Sequence, residues 1–144
     1  MVRKSDKSHD TYYAIRKTTK DKKRSYFFMH RQILSVSDSS LKVDHKDSNG
    51  LNNQRSNIRL CSDGENQYNK RPARNAKSKY KGVFYEFGKR KKRWRAVIRV
   101  AKKIHHLGLF ATEEEAAIAY NQAAIRFHKE FALLNEIPVL APVT

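Results

Sequence analysis

Between Asp44 and Asn66 the chain reads D-H-K-D-S-N-G-L-N-N-Q-R-S-N-I-R-L-C-S-D-G-E-N, a concentration of carboxylate, imidazole and carboxamide groups. Asp44 and Asn66 offer two hard oxygen ligands, and a carboxylate with an amide oxygen suits Mg²⁺ or a similar ion such as Mn²⁺ better than zinc. One such cation can polarise a phosphodiester and steady its leaving oxygen. His45 directly follows Asp44 and can take a proton from an attacking water, because a free imidazole titrates near about 6.5. Asn57 suits holding the loop or orienting His45, since an amide is neither a base nor a useful nucleophile. These residue types point to metal-assisted hydrolysis of a phosphodiester.

Four short elements must position these groups. Lys42 to Lys46 has the pattern of a strand, with Val43 turned inward, Asp44 opposite and His45 reversed again. Asp47 to Asn53 is rich in turn formers around Gly50 and predicts a tight, well-bonded loop. Asn57 to Leu60 predicts the returning strand. Ser62 and Glu65 form a capping box that opens a helix carrying Asn66, Gln67 and Asn69, and folding that helix across the two strands brings Asn66 toward Asp44.

The pattern D-H-x-D-x-N-x-L-x-N-x-x-x-N-I-R resembles the HNH nuclease family, with its ββα-metal fold, and especially the homing-endonuclease branch. That resemblance implies His45 as the base, Asp44 as a metal ligand and Asn57 as the structural Asn. The last family position is His in many members and Asn in others. Asn66, within G-E-N-Q-Y-N, fills it here, so an H-N-N variant is implied. The resemblance runs from Tyr12 to Lys70 and includes Y-F-F-M-H-R-Q-I-L upstream. Asp47, Asn49, Asn52 and Asn53 are expected to shape the loop or touch phosphate, and His30 to pack or contact phosphate.

Composition points independently to a polyanion. The chain holds 31 Lys or Arg against 14 Asp or Glu, a formal net charge of +17, and both halves carry the excess. With no apolar run of transmembrane length and no secretory hydrophobic region, a membrane surface explains this charge less well than DNA. Cys61, the sole cysteine, can join neither an internal disulfide nor a cysteine-based zinc cluster and is expected to pack beside Leu60. Residues 1–11 are expected to be a flexible basic arm. Tyr12 to Lys17 and Arg24 to Phe28 predict strands paired around T-T-K-D-K-K, with a short helix over Met29 to Leu34, and Phe27 and Phe28 as core. Residues 71–79, with their basic residues and Pro72, are expected to be a linker tracking phosphate.

From Tyr80 the periodicity changes. Tyr80 to Phe87, Arg93 to Val100 and Lys103 to Leu107 predict three strands, and Thr112 to His128 predicts a helix. Thr112 and Glu115 form its capping box, and Ala116, Ala119, Tyr120, Ala123, Ala124 and Phe127 its apolar stripe. In the central strand Trp94, Ala96 and Ile98 share the side facing the helix, opposite Arg95, Val97 and Arg99, which are then free to enter a DNA groove. Tyr80, Trp94, Leu107, Phe110 and Tyr120 are expected in the core. The basic run Lys89, Arg90, Lys91, Lys92 and Arg93 between the first two strands is expected to contact phosphate. His105 and His106 point to opposite sides of a strand and are not a zinc pair.

Y-K-G-V, W-R-A-V-I-R, L-G-L-F-A-T-E-E-E-A-A-I-A-Y-N-Q-A-A and F-A-L-L-N together resemble the AP2 (ERF-type) DNA-binding domain over Tyr80 to Asn135. The resemblance implies a three-stranded sheet read into the major groove and backed by a helix, with Phe84, Glu86, Arg95, Val97, Arg99, Ile104 and His106 toward DNA. The expected fold class is α+β. A ββα-metal (HNH) nuclease module over 12–70 is joined to an AP2-like module over 80–137, three antiparallel strands packed on one helix, with a tail over 138–144. The expected activity is a metal-dependent homing endonuclease or nickase acting as a monomer on double-stranded DNA, with a dimer as the alternative. Its expected setting is the cytoplasm or nucleoid, or an infected bacterial host cell. The competing readings are a noncatalytic DNA-binding transcriptional regulator and an RNA-binding accessory protein.

Overall fold

A computed structural model describes residues 1–4, 11–72, 76–88 and 93–138. The chain divides into two compact units, Met1–Asn69 and Lys70–Thr144. It is an α+β protein. A hairpin-and-helix region lies in the first unit, and a separate three-stranded antiparallel sheet packs on a long helix in the second. No helix among the described residues is long and apolar enough to cross a membrane.

In the first unit β1 (Val2–Lys4), β2 (Tyr12–Lys20) and β3 (Lys23–Phe28) form an antiparallel sheet in that order. Val2–Lys4, read from sequence as part of an arm, pair with Tyr12 to Ala14. The hairpin between β2 and β3 is longer than its sequence suggested. Only Asp21 and Lys22 turn the chain, both at positive φ (50° and 62°), the backbone whose twist matches the flanking strands. Its ladder therefore runs from Ile15↔Phe28 to Lys20↔Lys23. Phe27, expected in the core, is instead exposed, because it shares a face with Arg16 and not with buried Ile15.

After α1 (Met29–Ile33), β4 (Lys42–His45) and β5 (Ile58–Cys61) pair in the register Asp44↔Arg59 and His45↔Ile58, and α2 (Asp63–Tyr68) packs on both strands. The Ser62–Glu65 capping box is formed in both directions. Val43, predicted to point inward, is only half-buried, whereas Asp44 and His45 are both buried on opposite faces of β4. Cys61 is buried, but Leu60, its expected neighbour, alternates to the outside and is exposed. The floor of this unit is thus Ile15, Ile58 and Cys61 together with polar His30, Asp44, His45 and Asn69.

In the second unit β6 (Val83–Tyr85), β7 (Trp94–Val100) and β8 (Lys103–Phe110) lie in that order against α3 (Glu113–His128), which a 3₁₀ turn over Lys129–Phe131 follows. The first strand is shorter than Tyr80 to Phe87. Tyr80 is held in a turn by Ser78 Oγ, and Gly82 takes a φ of 75°, so pairing starts only at Val83. The third strand is longer than predicted. A bulge opposite Ala96 and Val97 absorbs Leu107 and lets the ladder continue to Trp94↔Phe110. On α3 the Thr112–Glu115 capping box is present, and the buried face is Ala116, Ala117, Tyr120, Ala123, Ala124 and His128. Phe127, expected in that stripe, is exposed, while His128 donates from Nε2 to Arg99 O at 2.8 Å and ties the helix end to β7.

Candidate active site

Asp44 sits in mid-strand with three donors on it. Arg59, its cross-strand neighbour, donates from Nε and Nη2 to Oδ2 at 2.9 and 2.7 Å. Asn69, just beyond α2, donates from Nδ2 to Asp44 Oδ1 at 2.9 Å and to His45 O at 2.8 Å. Sequence reasoning placed Arg59 only on a returning strand and Asn69 only on a helix. Counting the hairpin register would have set Arg59 opposite Asp44. Asn69 follows Asn66 by three residues and so occupies nearly the same helical face.

His45 is buried on the other face of β4, where its ring meets Tyr13 at 5.9 Å and His30 edge-on at 5.1 Å between centroids. Its Nε2 lies 3.2 Å from Asn53 Oδ1. Because Asn53 Nδ2 is committed to Leu51 O, Oδ1 is the acceptor in that pair and His45 Nε2 is the donor. This assignment, made from the bonding pattern, leaves the lone pair of the neutral ring on Nδ1.

The loop that presents Asn53 is braced by Asn57. Its Nδ2 donates to Asp47 Oδ1 at 3.0 Å and Asn52 O at 2.8 Å, and its Oδ1 accepts from Asp47 N at 3.2 Å. Asp47 also accepts from Asn49 N and Asn52 Nδ2. Burial works against its charge, yet these hydrogen bonds prevail and hold its carboxyl below the usual range. Ser48, at φ 60°, turns the chain back beneath this network.

Burial lowers the pKa of His30 to about 4, with His45 and Arg31 adding to the effect, so its ring is neutral near pH 7. Cys61 is pushed up to about 11 by burial and then by Asp44, which keeps it a thiol. Asn66 lies half-buried in the first turn of α2. Among the described residues no group of three or more His, Cys, Asp and Glu side chains gathers as a metal cluster. The hard-oxygen candidates are Asp44 and Asn66. Asp44 Oδ1 accepts a single hydrogen bond from Asn69, and a carboxylate oxygen retains a further lone pair in that state.

In the second unit the register places Phe84 beside Arg95, Val97 beside His106 and Arg99 beside Ile104, all on the sheet face away from α3. Phe84, Arg99, Ile104 and His106 are exposed, and Arg95 and Val97 partly so. Glu86 forms an ion pair with Arg95 at 3.1 Å, and the Arg95 guanidinium lies 5.9 Å from the Phe84 ring centre. Arg93 donates to Tyr85 Oη at 2.9 Å. Lys89, Arg90, Lys91 and Lys92 lie outside the described residues.

Comparison with known proteins finds the chain 35% identical over 102 residues to an uncharacterized HNH endonuclease of Acanthamoeba polyphaga mimivirus, a match taking in 69% of this chain and 49% of the viral protein. It is 42% identical over 59 residues to an ethylene-responsive transcription factor-like protein of Arabidopsis thaliana, covering 40% of this chain and 24% of the plant protein. The chain thus spans about half the length of the one and a quarter of the other. No family model and no solved structure matches it significantly. These similarities associate the chain with nuclease-type and DNA-binding-type proteins.

Proposed function

We propose that the protein is a metal-dependent DNA endonuclease of the homing type, in which an HNH module over residues 12–70 cleaves and an AP2-like module over 80–137 selects the duplex, with 71–79 as a basic linker. The observation that carries this reading is the pair of adjacent groups on β4. Asp44 is a buried carboxylate facing the α2 side, and His45 is a buried imidazole whose Nε2 is fixed by Asn53 Oδ1. A ring anchored at Nε2 presents Nδ1 as the atom that takes the proton of an attacking water. Asn57 serves that step indirectly, by keeping the loop that carries Asn53 in place.

Asp44 and Asn66 would hold one divalent cation, most simply Mg²⁺, because both offer hard oxygen and waters and phosphate can complete the shell. When bound, such a cation supplies charge to polarise the phosphodiester and stabilise the leaving oxygen. The exposed face of β6, β7 and β8, with Arg95 and Arg99, is the proposed reading surface. A bidentate pairing of either guanidinium with a base edge is worth about 1–3 kcal/mol of discrimination.

A noncatalytic DNA-binding regulator is the second reading, favoured by one observation: both oxygens of Asp44 already have partners within the protein. Supercoiled plasmid carrying candidate targets, incubated with Mg²⁺ or Mn²⁺ beside a chelator control and His45→Ala, separates the two. Metal-dependent nicking that disappears in His45→Ala is the expected result. Duplex binding with no relaxed or linear product on any target would favour the regulator.

A further inference from the structure

The outer side of α3 carries a pattern that neither the core nor the proposed reading surface uses. Ala116, Ala117, Tyr120, Ala123 and Ala124 are buried on one side of the helix, while Ile118 and Ile125 stand away from them at 46% and 59% exposure. Residues seven apart lie nearly on one line along a helix, so these two side chains form an apolar stripe two turns long. Helix formation does not ask for them, since a β-branched side chain is a poorer helix former than the alanines beside it. A single exposed isoleucine would need no explanation. Two in line are a surface.

Charge marks the ends of this stripe. Glu114 lies one turn before Ile118 and Lys129 one turn after Ile125, so the order along the face is acid, isoleucine, isoleucine, base. The acids on either side of Glu114 are engaged, because Glu113 accepts from Ser78 Oγ at 2.6 Å and Glu115 closes the capping box. Glu114 and Lys129 have no such side-chain partner among the described residues. From Glu113 to Lys129 three Glu stand against Arg126 and Lys129, on a chain whose net charge is +17. That local balance does not fit a polyanion and suits a protein surface.

We infer that this face of α3 binds a second copy of the chain, antiparallel, about a two-fold axis passing between Asn121 and Gln122. This dimer stands in place of the monomer expected from the sequence. In that register Ile118 meets Ile125 of the second copy, Ile125 meets its Ile118, and Glu114 meets its Lys129. A parallel pair would set Glu114 against Glu114, so charge selects the direction. With helix axes about 8–10 Å apart, the four isoleucines close a continuous apolar seam. One helix face buries less than the roughly 1,200 Å² at which standard interfaces begin. Two chains of +17 also repel, so the dimer is weak alone and is favoured where DNA offsets the charge. Because α3 backs the sheet, the pair leaves both exposed faces of β6, β7 and β8 on the outside, turned away from each other. Such a dimer holds two duplex segments, a conclusion that rests on the reading of that sheet as the DNA surface.

Sedimentation velocity of the full chain in chelator, from about 10 to 300 µM, reads the association without DNA. The parent is expected to shift from monomer toward dimer as concentration rises. I118S/I125S is expected to stay monomeric with an unchanged far-ultraviolet circular dichroism spectrum, since both side chains are exposed. E114K is expected to weaken association about five- to tenfold, because the two-fold axis sets like charges together twice. E114K/K129E restores opposite charges and is expected to recover the parent behaviour. A parent that remains monomeric throughout, or a charge exchange that fails to rescue E114K, would overturn the antiparallel pair. Capture of a labelled duplex by a second duplex fixed to beads then reads the bridging, expected for the parent and lost in I118S/I125S. Dimers that bind a duplex but capture no second one would overturn the outward placement of the two sheets. Parent protein that binds no duplex at low salt would overturn the DNA reading as a whole and leave the dimer standing.

Discussion

Arg59 and Asp44 face each other across β4 and β5, and the guanidinium closes on a single carboxylate oxygen with two hydrogen bonds of 2.9 and 2.7 Å. Their side chains are 13% and 7% exposed, so this is a buried ion pair. Removing one partner of such a pair leaves the other charged without compensation, which costs about 3–5 kcal/mol. Arg59→Ala is therefore expected to destabilise the first unit by an amount in that range, measured by urea unfolding. A loss under about 1 kcal/mol would show that water reaches Asp44 freely.

Asn69 closes the other side of the same carboxylate. Asn69→Ala removes hydrogen bonds to Asp44 Oδ1 and His45 O and is expected to cost about 1–3 kcal/mol. Asn69→Asp sets a second carboxylate against Asp44 and is expected to be worse at pH 7 than at pH 4.5. A destabilisation by Asn69→Asp that is the same at the two pH values would refute the contact.

Asn53 acts through His45 and not on substrate. Asn53→Ala frees the ring from its Nε2 anchor, so plasmid nicking is expected to fall about tenfold with duplex affinity unchanged, against about 10²- to 10⁴-fold for His45→Ala. Asn53→Asp, which keeps an acceptor oxygen, is expected to recover part of the loss. Equal activity in Asn53→Ala and the parent would remove Asn53 from the site.

Acid should weaken the first unit through His30. Above about pH 6.5 the ring is neutral in both the folded and the unfolded chain. As pH falls from there toward about 4, the unfolded chain takes up a proton that the folded state refuses, and stability declines. Below about pH 4 both states are protonated and this contribution stops changing. Comparing hydrogen exchange in β4 and α1 at pH 7 and pH 4.5 for the parent and His30→Phe checks the sign. The parent is expected to lose more protection than the variant. Carboxylates held below their usual range, such as Asp47 and Glu65, lose stability at still lower pH and cancel in the comparison.

Gly82 is where the second unit tolerates no side chain. A Cβ there would stand 2.1 Å from Tyr120 Cδ2 and 2.6 Å from Val97 O, on a backbone with φ at 75°. Gly82→Ala is expected to lower the melting temperature of this unit sharply, followed by the fluorescence of Trp94, the only tryptophan. Gly88→Ala meets no neighbour within 4 Å and is the milder control, although its φ of 146° adds some strain. Equal melting of the two variants would argue against the close packing of β6 on α3.

Local signals in the sequence determined the elements whose causes are local. The S-x-x-E and T-x-x-E capping boxes start α2 and α3 because each needs only a side chain and a backbone N–H three residues apart. Alternation along Trp94–Val100 likewise separated the face against α3 from the face carrying Arg95 and Arg99, since the pleat sets side by parity. Asp44 and His45 stood out by type and adjacency alone. What surrounds them was decided only by the fold. Arg59 reaches Asp44 through strand register, Asn69 through the angle at which α2 crosses the hairpin, and His30 and Tyr13 through the packing of a distant segment onto β4. Burial was equally non-local. Phe27 and Phe127 carry every hydrophobic sign of core residues, yet both are exposed, because which face of an element is covered depends on the partner that tertiary packing brings to it.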